Sequence, residues 1–590
     1  MNTVTLTIDG RSITVEKGKT VLEAALENGT EIPYYCYHPA LGVDGSCRVC
    51  IVRIEKMPKL QTACSTMCAD GMVVHTKSPE VVAARAAVFE FLLLNHPLDC
   101  PVCDKGGECP LQDFSYAFGP GQSRTDFPRR VFDGEGVKAD VDFGPTLMLN
   151  RNRCILCTRC VRFMREIDGD AQIAVVDRGN GSQIATFEER GVRSLLSGNL
   201  MDICPVGAIT TRDYRFKSRP WDNLEAVDTI CTLCAKGCNV VAWLKAKPEW
   251  AKGARLIRMT PRFNAAVNGY WMCDIGRFEY HWVESDQRLR RPLVRHGADL
   301  QPAAWHDVLT KLREKVLAGG TQALAALRFL ISAHASLEEM YLVWALARRL
   351  HGDTADASVA VSWCVGAKAQ PPGARFRVPD ADAPNVRGAG DLGLLAAGGR
   401  DGRPDVTALR RAVESGQVSA LYVLDSGPEG SIGDLAWVAE ARHRGVLPLL
   451  VVHGVLMSTL AKAADIVLPG AASFEKDACY ANEAGLVQGA ARVLAPPGDA
   501  MEDWQTLVNV AVSIGVPLVY ANAAQVRTDI AEAMAHAPAY AGMATMTFGQ
   551  AVTIRHWLQA SNPSEREKWN ALFKELPPLK FENSPDGQSS

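Results

Sequence analysis

The residues most able to do chemistry in this chain are its cysteines. Of the 18 cysteines, all but two lie at or before Cys273, and only Cys364 and Cys479 come later. Most of the early ones fall into four groups that contain close C-x2-C spacings. In a cytosolic chain such groups are typical of metal binding and not of disulfides. Scattered buried thiols would not produce four separate clustered sets.

The first group has the spacing C-x10-C-x2-C-x13-C and comprises Cys36, Cys47, Cys50 and Cys64. An iron–sulfur cluster needs four ligands, and thiolates are the soft donors that iron bound to sulfide prefers. Gly42, Gly45 and Ser46 let the backbone wrap closely and direct N–H groups at sulfur. The x10 gap departs from the x4 gap of plant-type ferredoxins, but the GSCRVC core favours a [2Fe-2S] cluster. Cys68 is expected to be a small buried residue.

The second group has the spacing H-x3-C-x2-C-x5-C and comprises His96, Cys100, Cys103 and Cys109. Three cysteines are one ligand short of a closed cluster. Because imidazole binds iron well, His96 is the nearest credible fourth donor. Asp99 and Cys68 are weaker candidates, and a histidine that follows a helix is more often a surface or capping residue.

The third group combines C-x2-C-x2-C with a distant Cys-Pro and comprises Cys154, Cys157, Cys160 and Cys204. In bacterial two-cluster ferredoxins the motif is C-x2-C-x2-C-x3-C-P, and its fourth cysteine binds the other cluster. Here that fourth position is Met164, and a second motif would need cysteines where Ser194, Ser197 and Leu200 stand. One complete ligand set remains, which predicts a ferredoxin-like domain with a single [4Fe-4S] cluster.

The fourth group has the spacing C-x2-C-x3-C-x34-C and comprises Cys231, Cys234, Cys238 and Cys273. Zinc sites built from four cysteines use similar C-x2-C spacings and are the main alternative. The x3 gap and the long reach to the segment WMCDIGRF resemble the cluster domain of molybdopterin oxidoreductases. This resemblance favours a [4Fe-4S] cluster over zinc.

The elements that must position the first two groups can be predicted from local patterns. VTLTI and RSITV alternate about Asp9-Gly10, which predicts a β-hairpin with a type I′ turn. Thr20 and Glu23 predict a capping box at the start of a helix that Gly29 can end. A hairpin, a helix and a cysteine-bearing loop is the order of β-grasp ferredoxins. Ser78-Pro79 opens an apolar helix that continues to Leu94 and stops before Pro97.

The fold class predicted for the whole chain is multidomain α/β. The N-terminal domain is a β-grasp [2Fe-2S] ferredoxin, ferredoxin-like [4Fe-4S] domains follow, and the region after 285 alternates apolar strands and helices. The predicted domains are 1–78 with [2Fe-2S], 79–118 with one histidine and three cysteine ligands, 119–222 ferredoxin-like, 223–284 of molybdopterin-oxidoreductase type, and 285–590, a reduced molybdopterin-oxidoreductase-like scaffold. Residues 119–145 are predicted to be a linker, 365–405 a loop region, and the tail ENSPDGQSS disordered.

Composition excludes several other classes. Lys and Arg number 63 against 66 Asp and Glu, a formal charge of −3, so no basic surface for nucleic acid is expected. The N-terminus lacks the charged and apolar regions of a secretory signal. The apolar stretch from Val446 to Leu460 is short and interrupted by Pro448, His453 and Gly454, so it cannot span a bilayer. We therefore expect a cytoplasmic protein that contacts membranes only through partner subunits.

Several motifs together resemble the large iron–sulfur subunit of bacterial NADH–quinone oxidoreductase, respiratory complex I. They are GSCRVC (45–50), VFEFLLLNHPLDCPVCDKGGECPLQD (88–113), RCILCTRCVRF (153–163), DICPVGAIT (202–210) and ADIVLPGAASFEKDACYANEAGLVQ (464–488). The resemblance makes His96 the expected fourth ligand of the second group. It also implies that the fourth group is a [4Fe-4S] cluster off the main path, although x34 is longer than the family gap. An insertion around Lys247–Lys252 explains that difference.

The same resemblance implies the function. Electrons would arrive from the NADH- and FMN-binding subunit and leave through other peripheral-arm subunits toward quinone, and the whole complex would couple this to proton translocation. The chain would be a peripheral subunit on the cytoplasmic side of the plasma membrane. It would have no active site of its own. The sequence contains no dinucleotide fingerprint in a strand–turn–helix context, so NADH oxidation is not expected in this chain. The expected cofactors are one [2Fe-2S] and three [4Fe-4S] clusters, with no molybdopterin.

Three alternatives are open at this point. A molybdenum enzyme related to formate dehydrogenase would use Cys364, in SWCVG, as a metal ligand, whereas the simpler interpretation is a buried free thiol beside Trp363. The chain could also be the relay subunit of an NAD-coupled hydrogenase, although such subunits are usually shorter. A non-redox zinc scaffold would contain no sulfide. Metal content separates most of these, since the favoured interpretation predicts about 14 irons per chain.

Overall fold

The computed structural model describes residues 3–124, 126–132, 141–187, 190–223, 225–245, 247–251, 253–318, 320–395 and 402–553. The tail ENSPDGQSS and part of the predicted linker at 119–145 lie outside these residues. Within the described part of the chain, no helix has the length and apolar character needed to cross a membrane. The strands of the described residues form several sheets, and their apolar faces pack with the helices in buried cores.

The N-terminal domain is a five-stranded sheet with one helix. Its elements are β1 (Thr3–Ile8), β2 (Arg11–Glu16), α1 (Val21–Glu27), β3 (Ile51–Ile54), β4 (Gln61–Thr62) and β5 (Val73–His75), in the sheet order β2-β1-β5-β3-β4. The hairpin prediction is confirmed, because Asp9 and Gly10 have φ of 46° and 83°. Thr20 and Glu23 form the predicted capping box. The long loop between α1 and β3 carries most of the first cysteine group.

Two helices surround the second cysteine group. They are α2 (Pro79–Leu93), which Ser78 caps by accepting the N–H of Val81, and α3 (Pro110–Phe118). The predicted helix is therefore confirmed and ends before Pro97. Pro110 suits the first position of α3 because that position has no backbone N–H to satisfy within the helix. The loop between the helices holds all four residues of the group.

The third cysteine group lies in a small α/β domain. Its elements are β6 (Val141–Asp142), β7 (Leu147–Leu149), α4 (Arg159–Phe163), β8 (Ile173–Val176), β9 (Gln183–Thr186), α5 (Asn199–Ile203) and β10 (Ile209–Thr211). Strands β10, β7 and β6 form one antiparallel sheet, and β8 pairs with β9. Met164–Asp168 continues α4 as one π-helical turn that Gly169 ends with φ of 83°.

The fourth cysteine group lies next to a four-stranded sheet, one strand of which comes from far along the sequence. Its elements are β11 (Glu225–Ile230), β12 (Asn239–Leu244), β13 (Leu256–Pro261), α6 (Asp274–Phe278) and β23 (Ala551–Thr553), in the sheet order β13-β12-β11-β23. A short 3₁₀ turn at Pro248–Ala251 lies in the connection where the insertion is expected. Because β23 pairs with β11, the far end of the described chain returns to this sheet.

The region after 285 contains a seven-stranded sheet. Its strands are β14 (Leu293–His296), β15 (Asp299–Pro302), β16 (Leu327–Ser332), β17 (Val359–Ser362), β18 (Ala420–Asp425), β19 (Leu449–Gly454) and β20 (Ile466–Pro469), in the order β15-β14-β20-β19-β18-β16-β17. The five strands from β20 to β17 are parallel, and β14 and β15 are antiparallel. A separate hairpin consists of β21 (Ala478–Ala481) and β22 (Val487–Ala490).

Helices cover both faces of this sheet. They are α7 (Trp305–Leu317), α8 (Gly320–Ala325), α9 (Leu337–His351), α10 (Val386–Asp391), α11 (Thr407–Glu414), α12 (Ala436–His443), α13 (Thr459–Ala463), α14 (Asp503–Ser513) and α15 (Ala523–Ala533). Successive strand residues face opposite layers: Leu330 and Leu421 pack with α11–α13, whereas Phe329 and Tyr422 pack with α7, α9 and α14. The α/β layers expected after 285 are confirmed, and the apolar stretch at 446–460 contains a central strand.

Candidate iron–sulfur centres

The four cysteines of the first group lie close together, with their thiols in contact. All four of its thiols are buried. The Cys36 thiol is within hydrogen-bond reach of those of Cys47 and Cys64, and Cys50 is within reach of Cys64. Neighbouring thiols and the N–H groups of Cys47 and Gly45 hold the pKa of Cys36 well below its usual range. The contacts Cys47–Cys36, Cys36–Cys64 and Cys64–Cys50 therefore bring all four thiols into one connected set, as the ligands of a single cluster require.

The wrapping of this loop depends on left-handed backbone. Gly42 and Gly45 have φ of 67° and 79°, and Arg48 has φ of 61°. These conformations turn the chain around the thiols. They favour glycine, which is present at two of the three positions. Cys68 is buried, as expected, but it packs in the domain core, where its N–H donates to the Lys19 carbonyl.

The second group lines a cavity of about 240 Å³ that contains His96, Cys100, Cys103 and Cys109 on its walls. The His96 Nδ1 atom is buried and has no hydrogen-bond partner. Burial, reinforced by the Arg153 charge, lowers the pKa of His96 to about 4, so the imidazole is neutral at physiological pH and keeps a lone pair for a metal. Asp99, the weaker candidate, forms a buried ion pair with Arg153 at 2.9 Å.

The third group lies on a tight loop and at the end of α5. Leu156 and Thr158 have φ of 53° and 58°, which bends the segment between the three close cysteines. All four members of the group line one small cavity. Met164 and Leu200, at two positions where a second cluster would need cysteine, are fully buried in the hydrophobic core. Apolar side chains thus occupy these positions, which agrees with a single cluster.

The fourth group is enclosed by protein on all four of its cysteines. All four thiols are buried, and burial raises their pKa values. The Cys231 N–H donates to the Cys238 carbonyl at 2.8 Å, which closes the loop between β11 and β12. Cys273 precedes α6, and the N–H groups of Ile275 and Gly276 are directed at its sulfur. A Cβ on Gly276 would lie 2.8 Å from the Cys231 sulfur, so glycine is needed for this approach.

The zinc alternative differs from the iron–sulfur interpretation in how the sulfurs share a metal. A structural zinc ion holds four ligands around one centre, with sulfur at about 2.3 Å, whereas a cluster spreads its thiolates over several irons. In the fourth group, acid-labile sulfide is the chemical difference between the two interpretations, because only the clusters contain it.

Family models match four parts of the chain. They are a 2Fe-2S iron-sulfur cluster binding domain (1–79), the NADH-ubiquinone oxidoreductase-G iron-sulfur binding region (85–124), the ferredoxin-like domain of NADH-quinone oxidoreductase subunit 3 (144–210) and molybdopterin oxidoreductase (385–512). The first three matches contain the first three cysteine groups. The expected fold class, with its ferredoxin domains and molybdopterin-oxidoreductase-like region, is confirmed.

Relatives extend the comparison along the chain. The mitochondrial NADH-ubiquinone oxidoreductase 78 kDa subunit of Neurospora crassa is 31% identical over 90% of this chain and 83% of its own length. The chain belongs to the family of this subunit. An NADH-quinone oxidoreductase subunit of Rhizobium meliloti is 41% identical over 53% of this chain. That match spans 35% of the Rhizobium protein, and a similar match to the Candida albicans 78 kDa subunit spans 41% of it.

The predicted resemblance to the large iron–sulfur subunit is therefore confirmed. A solved NAD⁺-reducing [NiFe]-hydrogenase chain is 33% identical over 37% of this chain and 93% of its own, with a TM-score of 0.33. That score does not establish a common overall fold. The family assignment consequently rests on the relatives from NADH-ubiquinone and NADH-quinone oxidoreductases.

In this member of the 78 kDa subunit family, side chains missed by the sequence analysis connect the groups. Arg162, on α4, donates to the carbonyls of Cys36 and, at 3.0 Å, of Leu41. Trp271 stacks on His38 with ring centroids 5.6 Å apart and meets the edge of Phe163 at 4.9 Å. The sequence does show arginines within RCILCTRCVRF and aromatic residues just before Cys273. Their contact partners lie far away in the sequence, so the sequence alone could not identify these contacts.

Cys364 differs from its simpler interpretation in one respect. It lies just after β17, beside the buried Trp363, but its side chain is half-buried and not fully buried. The thiol donates to the Gly430 carbonyl at 3.0 Å, and burial raises its pKa. A protonated thiol bonded to a backbone carbonyl is a weak metal ligand, because the thiolate is the ligating form.

Proposed function

We propose that this chain is an electron-relay subunit of an NADH–quinone oxidoreductase. The observation that carries the proposal is the cavity of the second group, where a buried, neutral histidine whose Nδ1 has no hydrogen-bond partner faces three cysteines. This donor set fits a [4Fe-4S] cluster with one imidazole ligand. Iron–sulfur clusters supply one-electron transfer, and the protein sets the potential through ligands, hydrogen bonds and burial.

The proposed inventory is one [2Fe-2S] cluster on the first group and one [4Fe-4S] cluster on each of the others. It corresponds to about 14 irons per chain. We also propose domain boundaries near 78, 118, 222 and 284, with which each of the first four domains would hold one cluster. The close packing of the first and third groups through Arg162 supports a route between them.

The proposed partners are the NADH- and FMN-binding subunit and other peripheral-arm subunits. Electrons would enter from the former and pass toward quinone through the latter, while the complete complex translocates protons. Membrane contact would be made only through these partners, on the cytoplasmic side of the plasma membrane. The relatives that carry the family assignment are themselves named as subunits of NADH-quinone or NADH-ubiquinone oxidoreductase.

A matched pair of variants in the N-terminal domain tests the inventory. Cys64 and Cys68 are both buried and four positions apart, but only Cys64 contacts other thiols of the first group. In the complex purified anaerobically, Cys64→Ala should remove about two irons and the [2Fe-2S] resonance, whereas Cys68→Ala should remove neither. Wild-type complex without acid-labile sulfide would refute the proposal. Equal losses in the two variants would refute the ligand assignment.

The molybdenum-enzyme alternative can be tested directly, and the match at 385–512 to molybdopterin oxidoreductase makes the test necessary. We propose that this region is a scaffold without its own cofactor. In open α/β sheets, ligands bind outside the carboxyl ends of the strands. Here a buried ionic network lies at that edge: Lys476 contacts Asp503 at 2.5 Å and Glu339 at 2.6 Å, and Asp503 also contacts His453 at 2.8 Å.

The four side chains of this network are paired with one another, and each is almost completely buried. An uncompensated buried charge would be costly, but these charges are paired and therefore stable without a ligand. Elemental analysis of the purified complex should find molybdenum far below one per chain. A content near one would favour the molybdenum enzyme, and co-purification of a hydrogenase subunit would favour the hydrogenase relay.

A further inference from the structure

Arg153 is a buried cation on the wall of the His96 cavity. Its side chain is 1% exposed, its Nε donates to Asp99 at 2.9 Å, and its Nη1 reaches the Gly207 carbonyl at 3.5 Å. The third nitrogen, Nη2, is buried without a hydrogen-bond partner. A guanidinium carries five N–H donors and stays charged in proteins. Two of its nitrogens are therefore anchored to protein, while the N–H groups of the third are available beside the cavity.

The ion pair with Asp99 uses only one of the three guanidinium nitrogens. Asp99 accepts from Nε at 2.9 Å, whereas Nη2 has no hydrogen-bond partner, and the Arg153 side chain lines the same cavity as His96 and Cys103. The N–H groups of Nη2 are therefore the part of the guanidinium left to face the ligands of the second group. Positive charge and N–H donors near a cluster stabilise its more negative, reduced state.

This effect is directed at one group only. Arg153 precedes Cys154, a member of the third group, by one residue. Its side chain nevertheless lines the cavity of the second group and is not among the residues that line the small cavity of the third-group cysteines. The side chain of Arg153 therefore points back into the cavity of the second group while its backbone belongs to the third.

We propose that Arg153 donates through Nη2 to the cluster held by the His96 group and raises its reduction potential, with Asp99 as the positioning residue. This inference rests on the proposed function, since it needs a cluster in that cavity. Asp99 fixes the guanidinium through Nε, and the Gly207 carbonyl fixes the second nitrogen. Arg153 is thereby a potential-setting residue in addition to its role in packing.

Redox titration of the intact complex, monitored by electron paramagnetic resonance, tests the inference. Arg153→Met keeps the length of the side chain and removes its charge. It should therefore lower the midpoint potential of the His96-group cluster by at least about 59 mV, which is a tenfold change in the ratio of oxidised to reduced cluster at a fixed potential. Asp99→Asn keeps an acceptor for Nε and removes the negative charge, so it should shift the same midpoint upward. The third-group cluster should keep its midpoint in both variants.

Arg288→Met is the matched control. Arg288 is also buried, pairs with Glu475 and donates to the Val455 carbonyl at 2.6 Å, but it lies in the seven-stranded-sheet region. It should shift neither midpoint. If Arg153→Met and Asp99→Asn both leave the midpoint unchanged while the resonance is present, the inference is overturned.

Loss of the cluster in Arg153→Met is distinguishable from failure of the proposed function. In that case Arg153→Lys should be measured, because lysine keeps the positive charge but lacks the several N–H donors of the guanidinium. We expect the cluster to assemble in this variant, with a smaller decrease in its midpoint potential. An unchanged midpoint in Arg153→Lys together with an unchanged or lowered one in Asp99→Asn would also overturn the inference. Wild-type complex that lacks the resonance altogether would instead refute the proposed function.

Discussion

Replacing Gly207 with alanine should eliminate one cluster through a single steric contact. A Cβ at this position would lie 2.0 Å from the Cys103 sulfur and 3.2 Å from the Lys105 Cβ. Ordinary contacts begin near 3.4 Å, so the sulfur would have to move by more than an ångström. Metal–ligand distances vary by only about 0.2 Å, and Cys103 would be displaced from its ligand position.

The iron content of the purified complex measures the loss of this cluster. Gly207→Ala should lower the iron content of the purified complex from about 14 to about 10 per chain and remove only the resonance of the His96-group cluster. Gly207 has no positive φ, so alanine adds no backbone strain to the steric effect. Iron, sulfide and paramagnetic resonance measured on the same anaerobic sample give the result.

Gly121→Ala is the control for this experiment. Gly121 lines the same cavity, but a Cβ there would have nothing within 4 Å. Its iron content and spectrum should equal those of the wild type. The reasoning is refuted if Gly207→Ala retains all its iron and an unchanged second-group resonance, or if the two glycine variants lose iron equally.

Three further predictions concern other parts of the molecule. Burial raises the pKa of Asp425 from 3.8 to about 7. Between pH 3.8 and about 7 the unfolded chain has therefore released a proton that the folded chain keeps, so the free energy of unfolding falls by about 1.4 kcal/mol per pH unit as the pH rises. Asp425→Asn should therefore melt like the wild type near pH 4 and be more stable by up to about 4 kcal/mol at pH 8, and equal melting temperatures at pH 8 would contradict this. Cys238→Ala should remove about four irons while NADH-to-quinone turnover persists, and abolished turnover in an intact complex would argue against an off-path cluster. Cys157→Ala should stop electron transfer and weaken assembly, since the loop loses its metal crosslink, and a wild-type rate would remove this site from the path.

Local features of this chain could be predicted because they depend on neighbouring residues. The Asp9-Gly10 turn and the Thr20 capping box involve residues within a few positions of each other, and both are observed. The cysteine groups were recognisable for the same reason, since most members lie within one short loop. Cys204 could be assigned only because the Cys-Pro pair has a known place in two-cluster ferredoxins.

Long-range partnerships could not be predicted. Arg162 binds the Cys36 carbonyl across 126 positions, and Arg258 pairs with Glu108 at 2.9 Å across 150 positions. A charged residue in the sequence is equally compatible with a solvated surface, so composition does not identify its partner. The pairing of β23 with β11 is likewise invisible locally, because three residues carry no pairing signal of their own.

The contacts of the fourth group explain why a scaffold without its own cofactor would be retained. Its loop is bound by the sheet region after 285: the Thr232 hydroxyl bonds Ser473 at 2.7 Å, and the Ala235 N–H donates to the Ala381 carbonyl at 3.1 Å.

Asn239 donates to Gln488 at 2.7 Å, which adds a third buried link from the same region. Cysteine loops of this kind have little regular structure, so their geometry depends on whatever surrounds them. The region after 285 supplies that surrounding as backbone and side-chain partners on more than one side. We therefore propose that this region fixes the position of the fourth group through these contacts, whether or not a ligand occupies its own sheet edge.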